Sequence, residues 1–228
     1  MQKEMTNCEP LAQKENSFSD NLESLRRKFT SEEINSLPAQ QYHGKIVLVK
    51  DQLGLEEAVE QMQQEEVLGF DTETRPVFRK GKSYPPCLIQ LAASDKVYIF
   101  QLRHVPLGEH LIQIFSNPNI IKAGIAVHDD IRDLKKIYDF QPKGMLDLSQ
   151  VARHNKLETH GLRNMAANFF GIRIPKGERC SNWANKTLTK KQMLYAATDA
   201  WIGRELYYRM KERGLVFPKA DIERNKPD

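Results

Sequence analysis

Cysteine is scarce. Cys8, Cys87 and Cys180 are the only three in 228 residues, and no two form a Cys-x-x-Cys pair. This excludes a disulfide framework and a cysteine-rich zinc site, and it fits a reducing, cytoplasmic compartment. Long apolar runs are also missing. No stretch approaches the ~18 residues that cross a bilayer, so no membrane partner is expected. The N-terminus lacks the apolar segment of a secretory signal and carries acids that a transit peptide avoids. Internal repeats and low-complexity tracts are absent, which excludes a repeat architecture.

What is present belongs to a soluble globular chain. Hydrophobic residues make up 40% and charged residues 28% of the sequence, enough for one good core with a tail. The net charge of +4 hides an asymmetry. Residues 151–228 hold 16 Lys and Arg against 8 Asp and Glu, whereas residues 1–150 hold 18 against 22. A basic C-terminal third suits a phosphate backbone, although exposed helices also carry scattered charge.

Residues 1–40 read as a leader, partly disordered. They include a helical turn near Leu22 to Leu25 and a capped short helix at Thr30-Ser31-Glu32-Glu33-Ile34 that stops before Pro38. The domain proper spans 41–214, and 215–228 form a tail. Lys45 to Val49 reads as a strand, and Leu53 to Glu66 has the apolar spacing of a helix. A buried strand follows at 67–72, then a basic loop from Arg75 to Tyr84. Cys87 to Ala92 and Val97 to Phe100 complete an antiparallel three-strand meander around the turn at residues 93–96. Gly108 to Ser116 reads as a helix, Ile120 to Gly124 as a strand and Asp129 to Asp139 as an amphipathic helix. Met145-Leu146-Asp147 is short for a strand. Helices are expected at 148–155, at 162–170 with Gly171 as its cap, and at 189–213. The basic loop 173–191 precedes the last. Meander first, then strands alternating with helices, implies an α/β fold with a mixed sheet flanked by helices.

Phe70-Asp71-Thr72-Glu73-Thr74 is the stretch on which the chain turns. Side chains alternate along a strand, so Asp71 and Glu73 point the same way. Two carboxylates crowded at a buried strand end need a proton, a base or a metal to coexist. Two other groups add acids. Lys122-Ala123-Gly124 runs through His128 to Asp129 and Asp130, where a strand meets a helix start. These two acids could simply balance the helix dipole, and either could be a ligand by spacing. Tyr195 and Asp199, four apart on the last helix, lie within roughly 40° of each other. They could form only a Tyr–Asp hydrogen bond. Together the three groups offer acidic oxygens, which select hard cations such as Mg²⁺ and Mn²⁺.

In this order the motifs resemble the DEDD superfamily of 3′–5′ exonucleases in its tyrosine form. Within it they are similar to the exonuclease domain of the Werner syndrome helicase and to ribonuclease D. Leu88-Ile89-Gln90-Leu91, Arg179-Cys180-Ser181-Asn182-Trp183 and Leu194-Tyr195-Ala196-Ala197-Thr198-Asp199-Ala200 carry the likeness further, over about residues 45–213.

The resemblance implies a ribonuclease H-like sheet and a metal-dependent 3′–5′ exonuclease that releases nucleoside 5′-monophosphates. Asp71, Glu73 and Asp199 would hold a first divalent cation. Asp71 would be shared with a second, which Asp130 binds, through water. Alignment on Lys122-Ala123-Gly124 favours Asp130, leaving Asp129 to cap its helix. Tyr195 would orient the attacking water, and Thr74 would offer its backbone to the terminal nucleotide. Asp147 is expected to cap a helix, and His128 and His160 to stand outside the chemistry. In the basic loop, Lys176, Arg179 and Lys190 would neutralise phosphates, while Trp183 would stack on a base or anchor the loop. The expected partner is the 3′ end of nucleic acid, DNA before RNA. RNA trimming and a non-catalytic binding module are the alternatives. Residues after 213 leave no room for the extra helical domains of ribonuclease D, which implies low processivity or a protein that delivers the substrate.

Overall fold

The computed structural model describes residues 25–77 and 83–216. Residues 1–24 of the leader, 78–82 of the first basic loop and 217–228 of the tail lie outside that range, with most of the turn expected near Leu22.

The elements run in chain order as α1 (Ser31–Ser36), β1 (Lys45–Val49), α2 (Gln52–Met62), β2 (Val67–Thr74), β3 (Pro86–Ala92), β4 (Lys96–Gln101) and α3 (Glu109–Phe115). They continue as β5 (Ile121–Gly124), α4 (Val127–Lys135), β6 (Met145–Asp147), α5 (Leu148–His154), α6 (Leu162–Phe170) and α7 (Lys190–Glu212). The strands form one six-stranded sheet in the order β1-β4-β3-β2-β5-β6. β2, β3 and β4 are antiparallel, and β1, β5 and β6 join in parallel. This is the mixed sheet with a meander that the apolar pattern predicts, and Met145–Asp147 does form a strand, paired with β5.

Local chemistry explains most ends. Thr30 and Glu33 form a reciprocal capping box at α1, as Thr189 and Gln192 do at α7. Asp51 accepts from the Gly54 amide at 2.9 Å and starts α2. Gly171 closes α6 at φ +63°, where a residue without Cβ is unstrained. Two helix limits differ from the sequence pattern. α2 stops at Met62, because 63–66 turn the chain into β2. α4 starts at Val127 and ends at Lys135. Its N-cap is Ala126 in the left-handed conformation, with no capping side chain to signal it. Asp129 is therefore not the cap.

The sheet separates two apolar layers. On one face Leu68, Phe70 and Phe100 pack with α2, α3 and α4 through residues such as Val59, Phe115 and Leu134. On the other, Val67, Val97 and Ala123 pack with α5, α6 and α7, including Phe169, Ala200 and Leu206. Each large buried side chain contributes roughly 1.5–3 kcal/mol relative to exposure. Residues 25–40 lie along this second layer. Leu25 is buried, and Asn168 donates to the carbonyls of Leu25 and Arg27 at 3.3 and 3.1 Å.

α7 lies unusually close to β2. A Cβ on Gly69 would collide with the carbonyl oxygen of Ala200. Contact at the bare backbone sets the height of the helix over the strand, and hence of Asp199 over Asp71. No helix among the described residues is long and apolar enough to cross a membrane.

Candidate active site

The acids gather at the C-terminal end of β2. Val67, Gly69, Asp71 and Glu73 share the α7 face by strand alternation, and Leu68, Phe70 and Thr72 the other. α7 lays Asp199 over that first face. Ligand oxygens of Asp71, Glu73 and Asp199 all lie within 4.8 Å of one another. Asp130 stands outside this trio. It arrives from the first turn of α4, where the Thr72 hydroxyl donates to its Oδ1 at 2.6 Å. Thr72 thus sits between the trio and the fourth acid, and the charge of Asp130 is felt at both Asp71 and Glu73. Asp129 points elsewhere, exposed and paired with Arg132 at 2.7 Å.

Crowding and burial make these acids hard to ionise. Burial, then the charges of Asp199, Glu73 and Asp130, holds Asp71 well above the usual carboxylate range. Burial first, then Asp199 and Asp130, raises Glu73 to about 9. Asp130 is raised to about 7 by burial, against the Thr72 hydrogen bond. Asp199 is likewise raised by burial to about 7, against its bond from Tyr195 and the charge of Arg163. The Tyr195 hydroxyl donates to Asp199, one turn away on α7, and its own acidity is suppressed by burial and by that carboxylate. The phenol therefore keeps its proton at neutral pH.

An all-oxygen set with this much unbalanced charge fits hard divalent cations, which would remove the repulsion that the fold creates. A pH dependence follows. Acids with raised folded values bind more protons in the folded chain than in the unfolded one. Their stabilising protons are fully in place below about pH 4 and are lost as pH rises through about 7 to 9. In EDTA the melting temperature is expected to fall between pH 6 and pH 9. Mg²⁺ or Mn²⁺ should raise it more at pH 8.5 than at pH 6, with protons released on binding. Calorimetric melting across this range checks the sign.

Supporting contacts hold the frame. Asp147 caps α5, accepting from Ser149 N and Oγ at 2.9 and 2.6 Å, and it also accepts from the Ala126 amide at 3.1 Å. It thereby fixes the start of the helix that carries Asp130. Lys122 is buried and structural, its Nζ donating to the carbonyls of Ile114, Asn117 and Ile120 at 2.8–2.9 Å. Gln90 is paired directly opposite Asp71 and shares its face. It is fully buried, and neither of its amide atoms has a hydrogen-bond partner among the described residues. Thr72 and Arg163 carry no signal of their own in the sequence pattern, and Gln90 stands out there only within Leu88-Ile89-Gln90-Leu91, since the place of each comes from strand register or helix packing.

The expected substrate contacts divide. Thr74 ends β2 opposite Pro86, just past an irregularity in the pairing. Lys176 and Arg179 are exposed on the loop, and Lys190 is exposed at the first position of α7. Trp183 is only 1% exposed, packed among Leu88, Ile99, Leu188 and Ala196 with its ring 5.9 Å from Tyr195. It anchors the loop and presents no face for a base. His128 is exposed and His160 half-buried.

A mixed α/β sheet here brings four carboxylates and a tyrosine about one strand end, a donor set that suits a hard divalent cation. The chain belongs to the 3′-5′ exonuclease family, which matches residues 46–214. It is 34% identical over 172 residues to the mouse bifunctional 3′-5′ exonuclease/ATP-dependent helicase WRN, covering 71% of this chain and 12% of that protein. Ribonuclease D of Haemophilus influenzae is 26% identical over 187 residues, 81% of this chain and 46% of that protein. The chain thus spans less than half the length of these relatives. Among solved structures, the EXO domain of Aedes aegypti Nibbler superposes with a TM-score of 0.70 at 22% identity, covering 80% of this chain and 97% of that one. Escherichia coli RNase D superposes with a TM-score of 0.64 at 20% identity, covering 80% and 49%. Both show the shared ribonuclease H-like fold. Exonucleases of this family use divalent metals, and the acidic cluster supplies the matching donor set.

Proposed function

We propose that residues 41–214 form a 3′–5′ exonuclease that hydrolyses the terminal phosphodiester of nucleic acid, DNA before RNA, to nucleoside 5′-monophosphates. The observation that carries this reading is the Asp71–Glu73–Asp199 trio, with Asp130 one threonine away. Asp71, Glu73 and Asp199 would hold one divalent ion and Asp71 with Asp130 a second, Mg²⁺ or Mn²⁺. When bound, such ions polarise the phosphodiester and offset charge on the attacking and leaving oxygens.

The chain's own groups do the rest. The four acids give up their protons on loading, and Thr72 and Asp147 hold Asp130 and its helix in place. Tyr195, protonated and tied to Asp199, orients the attacking water by a hydrogen bond and does not take its proton. The Thr74 backbone receives the terminal nucleotide. Lys176, Arg179 and Lys190, all exposed, meet strand phosphates without reading bases. Free Cys87 and Cys180 suit a reducing compartment. A protein that delivers the 3′ end is part of this reading, since the mouse relative joins its exonuclease to a helicase.

The preference for DNA rests on the higher identity to that relative than to ribonuclease D. RNA trimming is the second reading, favoured by the ribonuclease D relatives and by the fold shared with Trypanosoma brucei RNase D in complex with RNA. A binding module without turnover is less consistent with an intact set of acids. Rates on matched single-stranded DNA, recessed duplex and RNA, each with Mg²⁺ or Mn²⁺, separate the readings. DNA is expected to be degraded faster. An equal or higher rate on RNA would overturn the preference.

A further inference from the structure

β3 carries a carboxamide in the middle of an apolar strand. Gln90 is 0% exposed, as are Leu88, Ile89, Leu91 and Ala92 around it. Its Cα partners are Asp71 on β2 and Ile99 on β4. Directly paired residues share a face and side chains alternate along a strand, so Gln90 lies with Leu88, Ala92, Ile99 and Asp71 on the α7 side of the sheet. Leu88 and Ile99 pack there with Ala196 of α7 and with Trp183. Of the side chains directly beside Gln90 on this face, Asp71 alone is polar. Neither Nε2 nor Oε1 has a hydrogen-bond partner among the described residues.

A buried carboxamide without partners is costly, because it gives up its bonds to water and gains none in return. Met or Leu would fill the same space without that cost. Register gives the amide one destination. Directly opposed residues have Cβ atoms about 4.5–5.5 Å apart, and the Nε2 of a glutamine lies a further three bonds beyond its Cβ. Turning the end of the side chain therefore brings an N–H to an Asp71 oxygen. An ionised carboxylate offers about four lone-pair sites, and those that cations do not use remain open to a donor from the sheet. A carboxamide supplies that donor without adding charge. A lysine in the same place would donate as well, but its charge would compete with a divalent ion.

We propose that Gln90 is a positioning residue of the metal centre, whose carboxamide donates to the Asp71 carboxylate when the site is loaded and fixes the orientation of that acid. The inference rests on the metal-dependent exonuclease reading of the acidic cluster. Thr72 plays the matching part from the other face of β2, where its hydroxyl donates to Asp130 at 2.6 Å. The two acids assigned to the second ion thus each receive one neutral donor from the sheet. Donors behind metal ligands set ligand orientation and hence affinity.

Metal affinity and metal-free stability together separate positioning from structure. Mn²⁺ is titrated calorimetrically into the full chain and its Gln90→Met and Gln90→Leu variants, and each is melted in EDTA. Both variants should melt above the wild type in EDTA, since they remove an unsatisfied buried group, yet bind Mn²⁺ about 10- to 100-fold more weakly. In saturating Mn²⁺, kcat should fall while KM for a single strand stays within about twofold. Mn²⁺ affinity unchanged within about twofold overturns the proposal. A weaker affinity accompanied by lower melting in EDTA marks a structural residue and overturns it too. Should neither variant fold, the wild type decides: the ¹⁵N–¹H signals of the Gln90 carboxamide should shift and exchange more slowly with solvent on adding Mg²⁺, and unchanged signals overturn the proposal. A wild type that binds Mn²⁺ but releases no nucleotide counts against the exonuclease reading, while the Mn²⁺ affinities still decide the role of Gln90. A wild type that binds neither ion overturns both.

Discussion

Replacing Asp71 by Asn is expected to lower mononucleotide release by at least about 10³-fold, and to raise the melting temperature of the metal-free protein at pH 8.5. Loss of activity follows from the place of Asp71 in the trio, where its oxygens lie with those of Glu73 and Asp199. A divalent ion supplies several kcal/mol of transition-state stabilisation, and each 1.36 kcal/mol is tenfold in rate. The gain in stability has the opposite origin. Burial and three neighbouring carboxylates all resist ionisation of Asp71. Asn keeps the shape and removes the charge, so it removes one source of the stability lost as pH rises. The two effects together are diagnostic. A purely structural acid would lose stability and activity together, whereas a crowded ligand loses only activity. Product chromatography, with calorimetry in EDTA and in Mn²⁺, reads both. The melting-temperature gain on adding metal should also shrink in the variant.

Gly69→Ala is expected to destabilise the protein by about 3 kcal/mol or more, lowering its melting temperature by roughly 10 °C. The new methyl group would occupy the space of the Ala200 carbonyl oxygen, with the Arg204 amide beside it. Neither is a flexible side chain, so the helix itself must move. Asp199 precedes Ala200, and Tyr195 lies one turn earlier. A shift of about 1 Å at such a site can cost about 10² in rate. The protein that remains folded should therefore be slow, even though the substitution touches no acid. Thermal melting and single-turnover rates in Mn²⁺ measure the two losses.

These two positions show what was legible in the amino-acid sequence. The continuous apolar run from Val67 to Phe70 exposes β2 as a buried strand, and period-2 geometry then puts Asp71 and Glu73 on one face. The Thr189 cap and Gly214 bracket α7 as one long helix, and four-residue spacing pairs Tyr195 with Asp199. Strand and helix periods are local, so they survive in the sequence. The height of α7 over β2 is not local. Gly69 looks like an ordinary strand glycine until Ala200 is brought against it.

Contacts made through register were hidden for the same reason. Thr72 reaches Asp130 across 58 positions, and Gln90 meets Asp71 only through the pairing of β2 with β3. Trp183, set among basic residues, offers a stacking surface on paper, but its ring is taken up by the apolar layer beneath α7. Ala126, the start of α4, has no capping side chain, so the acids that follow it appear two residues deeper in the loop than they are. Arg163 is one basic residue among many in the sequence. Its charge reaches Asp199 because α6 packs against α7.

The most direct measurement is the first product released from a single strand labelled at its 3′-terminal internucleotide phosphate, with Mg²⁺ or Mn²⁺ present. A labelled nucleoside 5′-monophosphate should appear from the earliest time, cease on adding EDTA and be absent with the Asp71→Asn variant. Failure to release it while calorimetry shows the metal bound would contradict the account, as would a first product that is an internal fragment or a nucleoside 3′-monophosphate.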